Sequence, residues 1–511
     1  MASIPPPNAR GRNMALTAAF LGWLFDGFEM GLFPLIGKPA LQDLLANTAD
    51  AAQVTLNVDR WFTVIIATFL VGAATGGVFF GWLGDRIGRV KAMTFSIFTY
   101  AIFTGLCGFA TEAWHIAILR FIASLGMGGE WALGVALVNE LWTKGSRAWV
   151  AGAIGAAANI GYLLVAFLSL GMVNFLSSVE GAFAAMGASQ WLTEYLLHNQ
   201  AWRFLMISGA FPAVLIFFIR LFVPESDKWE EEKKTGSTSH WLTQDLLGVL
   251  LGAVVAMVII WAWSPMGVST SVATIITAVG FCIIIWGFLL PVRRYLQRST
   301  AAGHMTEESR RKVRSNLIIG ATLAGIALLG TWGAAQQAPK WSTELNPNGY
   351  SHPMQYTQLC TAFGATVFAL LAPVLADMLN RRQTYLICCI TAMASSIYYF
   401  KFNTQIDTGY FISAFLMGGL TASFYGFFPL YLPELFPTAV RATGQGFCFN
   451  VGRIIAAIGG LQLANLIAYF GGDNVSRLQA SSNAFTVLCC VYVVGMVLVW
   501  FAPETKGKAL Q

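Results

Sequence analysis

The chain has 511 residues, 56% of them hydrophobic and only 11% charged, a composition that excludes an ordinary water-soluble globular domain of this size. The formal net charge of +6 is spread along the chain between apolar stretches, so it argues for membrane topology and against a nucleic-acid partner.

About 20 mostly apolar residues cross the hydrocarbon core of a bilayer. The sequence predicts fourteen such helical spans, near 14–37, 61–83, 92–110, 113–139, 148–171, 203–223, 246–263, 270–290, 317–338, 355–376, 384–401, 409–432, 443–470 and 483–501. The first holds Asp26 and Glu29 in its middle and lacks a small-residue cleavage site after it, so it reads as a retained span and not a signal peptide. Stretches 225–245 and 293–316 are charged, and within them the runs 226–239 and 293–315 read as solvated linkers or surface helices. The eight cysteines (Cys107, Cys282, Cys360, Cys388, Cys389, Cys448, Cys489, Cys490) fall within spans without metal-ligand spacing, as small packing residues do. With both termini inside, the opposite side receives Lys38, Arg60, Arg203, Lys340, Lys401 and Arg477, and the spans hold Arg120, Arg220 and Arg453. The other 22 of the 31 Lys and Arg lie on the cytoplasmic side, a bias that sets the orientation.

The chain repeats itself. GWLGDRIGRVK (81–91) is matched by PVLADMLNRR (373–382), which pairs Asp85 and Arg89 with Asp377 and Arg381 at an offset of 292 residues. Glu140 precedes Arg147 by seven residues, as Glu434 precedes Arg441, at an offset of 294. Glu225 closes the sixth span as Glu504 closes the last. Two six-helix halves, 1–225 and 317–511, therefore flank linkers and an inserted two-helix hairpin at 226–316. Asp85, Arg86 and Arg89 sit in a Gly-bounded turn, where an acid can accept hydrogen bonds from a neighbouring helix N-terminus and arginines can reach carboxylates. With Glu140, Arg147, Glu225, Asp377, Arg381, Glu434, Arg441 and Glu504 they form a candidate cytoplasmic gate.

These motifs resemble those of the major facilitator superfamily, and the VPES and APETKG tails are similar to those of sugar porters. FLGWLFDGFEMGL (20–32), RFIASLGMGGEW (120–131), VPESDKWEEEKK (223–234) and GFCFNVG (446–452) resemble bacterial sialic acid:proton symporters, while NVGRI with Arg453 resembles aromatic-acid and other organic-anion transporters. The resemblance implies an all-α, fourteen-helix major facilitator fold. It also implies a monomeric, proton-coupled carrier of a small carboxylate in an inner or plasma membrane, working by alternating access. The alternatives are a sugar facilitator or sugar:proton symporter, and a non-transporting nutrient sensor.

Charged groups inside the hydrocarbon cost several kcal/mol unless paired or wet, so each is a candidate. Asp26 and Glu29, three residues apart on one helix, are candidates for proton exchange, with Glu130 after the small-residue run Gly126, Gly128 and Gly129. The competing reading is a structural pair satisfied by Arg120. Arg453, mid-span, needs an anion, and its guanidinium fork fits a substrate carboxylate. Arg120, Trp23, Phe28, Trp131, Asn159, Tyr162, Trp332, Gln336, Gln337, Tyr356, Tyr425 and Asn450 are candidate pocket residues. His115, His198, His240, His304 and His352 show no zinc spacing, and no GxxxxGK[ST] loop occurs, so no metal, cofactor, enzymatic chemistry or ATP drive is expected.

Overall fold

A computed structural model describes residues 9–46, 51–142, 147–263, 268–346, 348–471 and 475–508. Lys144 and the side chain of Arg220, both part of the charge bias above, lie outside the described residues. In chain order the helices are α1 (Ala9–Leu45), α2 (Ala51–Ile87), α3 (Arg89–Leu106), α4 (Ala113–Leu141), α5 (Arg147–Leu170), α6 (Met172–Ala185), α7 (Gln190–Ser208), α8 (Ala213–Phe222) and α9 (Asp227–Lys234). There follow α10 (Leu246–Trp263), α11 (Thr270–Ala301), α12 (Glu307–Gly333), α13 (Ala338–Glu344), α14 (Pro353–Met378), α15 (Arg381–Phe402), α16 (Thr408–Tyr431), α17 (Arg441–Phe470), α18 (Arg477–Cys489) and α19 (Val491–Leu498).

Among the described residues, twelve helices are long and apolar enough to cross a membrane, two fewer than the fourteen expected. The two segments outside that set are 203–223 and 443–470. The first is broken. Gly209, Ala210 and Phe211 each donate a backbone hydrogen bond to the residue three before, a tight turn that ends α7, and Pro212, with no N–H to give, precedes α8. The second is one unbroken helix of 30 residues, α17, about 45 Å long, with side chains at 457, 458, 460, 461 and 464 outside the described residues.

Small residues let the helices approach closely. A Cβ on Gly446 of α17 would lie 2.5 Å from the Gly77 carbonyl oxygen of α2, and one on Gly81 would lie 2.8 Å from the Ala442 carbonyl oxygen. On the other side of the bundle a Cβ on Gly155 of α5 would lie 2.3 Å from the Tyr425 carbonyl oxygen of α16. These crossings, of the small-residue kind that packs helices in lipid, zip the first half of the chain to the second along two seams.

The 226–245 stretch is anchored to the bundle: within the run 226–239 the short helix α9 keeps Glu230, Glu231, Lys233 and Lys234 exposed, as on a surface helix, while its Trp229 does not stay solvated. Trp229 and Trp241 are buried, with indole N–H groups donating to the Asp85 carbonyl oxygen at 2.9 Å and the Ala439 carbonyl oxygen at 3.2 Å. Trp241 also stacks on Tyr295 with ring centroids 4.3 Å apart, and buried Asp245 pairs with Arg298. An indole buries apolar area and satisfies its one donor at once, so two of them dock the linker across both halves despite its charged composition.

Candidate functional site

Two sites emerge, a charged cluster at one end of the bundle and a cavity in its middle. In the cluster, Arg89 starts α3 and donates to Asp85 at 2.6 Å, to the Gly84 carbonyl oxygen at 2.8 Å and to both oxygens of Glu140 at 3.0 and 3.3 Å. Asp85 accepts from the backbone N–H of Ala442 at 3.3 Å and of Thr443 at 2.8 Å, and from the Thr443 hydroxyl at 2.6 Å. It thereby caps the first turn of α17, where unsatisfied N–H groups and the positive end of the helix dipole favour an anion. Glu140 also accepts from Arg441 at 2.9 Å and from the Ser226 hydroxyl.

The second half repeats the arrangement. Arg381 donates to Asp377 at 2.9 Å, to the Ala376 carbonyl oxygen at 2.8 Å and to both oxygens of Glu434 at 2.8 and 2.9 Å. Glu434 takes Arg147 at 3.1 Å and the Thr505 hydroxyl at 2.6 Å. Arg441 with Glu140 and Arg147 with Glu434 are thus matched pairs across the seams. The symmetry is incomplete: Asp85 is fully buried, whereas the Asp377 side chain is 48% exposed and among the described residues its ion pair is with Arg381. Among the described residues Arg86 reaches no carboxylate; it donates to Thr243 of the docked linker at 2.7 Å and lies over the Trp82 ring.

Glu225 and Glu504 cap the helices that begin at Arg89 and Arg381. Glu225 accepts from the N–H groups of Arg89, Val90 and Ser226, and Glu504 from those of Arg381, Arg382, Thr505 and Lys506. Burial outweighs those bonds at Glu225 and raises its carboxyl above the usual range. At Glu504 burial also pushes upward, but it is weaker there and the four N–H donors hold the carboxyl below that range.

The cavity is lined by Trp23 and Met30 of α1, Ala158, Asn159 and Tyr162 of α5, Leu328 and Trp332 of α12, Gln336, Tyr425 of α16, and Phe449 and Arg453 of α17. Arg453 is 4% exposed; it donates to Asn450 at 3.1 Å and lies over the Phe449 ring, and among the described residues it has no ion pair within 4.0 Å. The Trp332 indole donates to the Tyr425 hydroxyl at 3.0 Å, and the Asn159 amide to the Gly155 carbonyl oxygen at 3.1 Å. The arrangement offers one buried guanidinium, amide and hydroxyl groups, and aromatic walls, contributed by both halves of the chain.

Several expected residues stand elsewhere. Trp131 lies one layer back, stacked on Phe449 at 4.0 Å, and Asn450 packs against Gly77 while holding Arg453. Tyr356 is 39% exposed beside Tyr350 and Phe411, and neither Phe28 nor Gln337 lines the cavity. Arg120 is buried away from it, paired with Glu29 at 2.5 Å beneath the Phe33 and Phe69 rings. Asp26 and Glu130 are buried and close enough to hydrogen-bond each other once one of them holds a proton, and among the described residues neither carboxyl has another hydrogen-bond donor. Glu130 reaches α1 at Gly22, where a Cβ would lie 1.5 Å from its Oε1. Met30, Ala158, Leu328 and Phe449 were missed; of these only Phe449 gave a signal, one turn before Arg453 on the same helix face.

A family model described as "Sugar (and other) transporter" matches residues 14–246 and 342–511. The cis,cis-muconate transport protein of Acinetobacter baylyi is 24% identical over 453 residues, 87% of this chain and 85% of that one. The sialic acid transporter NanX of Escherichia coli is 24% identical over 469 residues, 92% of this chain and 89% of that one. Among solved structures, the major facilitator proton:xylose symporter XylE bound to 6-bromo-6-deoxy-D-glucose matches with a TM-score of 0.65 at 18% identity, covering 98% of both chains.

Proposed function

Because the chain belongs to the sugar (and other) transporter family, whose members are membrane transporters of the major facilitator fold and not enzymes, we propose that it carries a small organic anion together with protons. It is an integral membrane protein and a secondary transporter of a small metabolite. The observation that carries the anion reading is Arg453: a guanidinium at mid-membrane depth, opening on a cavity and with no carboxylate within 4.0 Å among the described residues, only Asp26 farther off, is costly unless an anion visits it. The relatives named for muconate and sialic acid, both carboxylic acids, support the same class.

In this reading segment 203–222 and α17 also cross the membrane, which gives two six-helix halves around the inserted α10–α11 hairpin with both termini cytoplasmic. The charged cluster acts as the cytoplasmic gate, and its cross-seam pairs Arg441–Glu140 and Arg147–Glu434 support that role. Trp23, Asn159, Tyr162, Gln336, Tyr425 and Arg453 hold the substrate, and Asp26, Glu29 and Glu130 carry the coupled proton. Joint binding of the anion at Arg453 and a proton at one of the three acids neutralises both charges, the state in which the halves rock about the midplane.

The test is uptake into proteoliposomes of labelled muconate, sialic acid, aromatic acids and neutral sugars, with and without an inward proton gradient. Accumulation of a carboxylate only with the gradient is expected. Accumulation of a neutral sugar in preference to every acid would overturn the anion reading.

A further inference from the structure

The inserted hairpin α10–α11 has no task in the function proposed above, yet its place in the bundle is specific. α10 packs along α2, and α11 touches α12 and α17. The hairpin therefore lies beside the seam where Gly77 and Gly81 of α2 meet Gly446 and Ala442 of α17. Linker residues 241–245 lead into it at the end of the bundle that holds the charged cluster, where Arg86 of α2 donates to Thr243 at 2.7 Å.

Most contacts of that segment run to the hairpin and the first half. The Trp241 ring, 1% exposed, lies on Tyr295 of α11 with centroids 4.3 Å and planes 20° apart. Asp245, fully buried, pairs with Arg298 and, at 3.7 Å, with Arg294, and accepts from the Leu242 N–H at 3.2 Å. One bond runs the other way: the Trp241 indole N–H donates to the Ala439 carbonyl oxygen of the second half at 3.2 Å. Ala439 stands in the turn Thr438–Val440 that leads into α17, and the carbonyl before it, that of Thr438, accepts from Arg89 at 2.9 Å. Two successive carbonyls of one turn are thus taken by buried donors of the first half and the linker, just before Arg441 pairs with Glu140. An indole has a single donor, and this one sits on a ring fixed by its stack. If the turn swings away the indole cannot follow, and its N–H is left buried without a partner.

We propose that the hairpin and linker form a strap across the α2–α17 seam with Trp241 as its hook, so that opening this end of the bundle requires the Trp241–Ala439 bond to break. The proposal rests on the reading above in which the charged end of the bundle opens and closes, and it gives the inserted helices a part in that motion.

Trp241→Phe keeps the ring on Tyr295 and removes the donor. In the purified full-length protein lacking the exposed Cys282 and Cys490, spin labels at Lys91 of the first half and Gln383 of the second, both exposed, report the opening. The open population should rise about two- to tenfold relative to the closed one, which is what loss of one hydrogen bond between neutral groups brings. A label at Gln297, exposed on α11, should keep its distance to Lys91, because the strap stays with the first half. An unchanged Lys91–Gln383 distribution in a variant that melts like the wild type overturns the proposal, as does a longer Gln297–Lys91 distance. If Trp241→Phe does not fold, Asp245→Asn, which loosens the linker from Arg298 with the indole intact, should shift the same populations in the same direction, and no shift there overturns the proposal as well. Glu140→Gln separates the two readings. Opening in that variant without any in Trp241→Phe refutes the strap and leaves the charged gate, whereas opening in Trp241→Phe without any in Glu140→Gln refutes the charged gate alone.

Discussion

Replacing Glu140 by Gln tests the charged cluster as a gate. Glu140 is 4% exposed and accepts two hydrogen bonds from Arg89, one from Arg441 and one from Ser226. The bonds from Arg89, in the first half, and from Ser226, the first residue of the linker that follows it, do not bridge to the second half and are lost equally whichever way the halves tilt. Only the Arg441 bond, at 2.9 Å, crosses the seam to the second half. A hydrogen bond to a charged group is worth about 1.5–3 kcal/mol. At about 1.4 kcal/mol per factor of ten, the closed state should lose on the order of 10- to 100-fold in population relative to the open one. Spin labels at Lys91 and Gln383, which begin α3 and α15 at exposed positions, would read the opening as a longer distance in a background lacking the exposed Cys282 and Cys490. Glu434→Gln, the symmetry mate, should act in the same direction through loss of the Arg147 bond, and more weakly because Arg147 is less buried. Distance distributions that are unchanged in both variants would refute the gate.

Gly22→Ala places a methyl where the Glu130 carboxyl now lies, 1.5 Å from Oε1, so that carboxyl must move. Proton-driven uptake should fall at least tenfold while the protein stays folded by thermal melting; undiminished uptake would remove Glu130 from the coupling site. Glu504→Gln should lower the melting temperature near neutral pH, because a carboxyl held below its ordinary range contributes stability that is present above that range and lost as the pH falls through its depressed value. The difference between variant and wild type should therefore shrink toward acid pH, and a difference independent of pH would refute the capping role.

How far the sequence was legible depended on how rare each residue type is in such a chain. Charges are scarce among apolar spans, so Asp85, Arg89, Glu140 and their repeats at 377, 381 and 434 stood out by spacing alone, and the structure brings them into two matched clusters. Arg453 and the lining residues Trp23, Asn159, Tyr162 and Gln336 were visible for the same reason. Met30, Ala158 and Leu328 were not, because an apolar lining residue looks like every other apolar residue of a span. The tight turn at Gly209–Pro212 hid inside an apolar run whose hydropathy does not register a lost backbone hydrogen bond. The docked linker was obscured by its Lys and Glu content, although Trp229 and Trp241 are what decide its position. Arg120 was drawn toward the substrate by its charge, while pairing distance assigned it to Glu29.

The most direct measurement is of protons and anion together. Wild-type proteoliposomes with no imposed gradient would be given muconate or sialic acid while a dye reports external pH. The medium should turn alkaline as the anion enters, and Arg453→Gln should abolish both signals at once. Anion entry with no pH change, or entry undiminished in Arg453→Gln, would contradict a proton-coupled carrier that holds its substrate by this guanidinium.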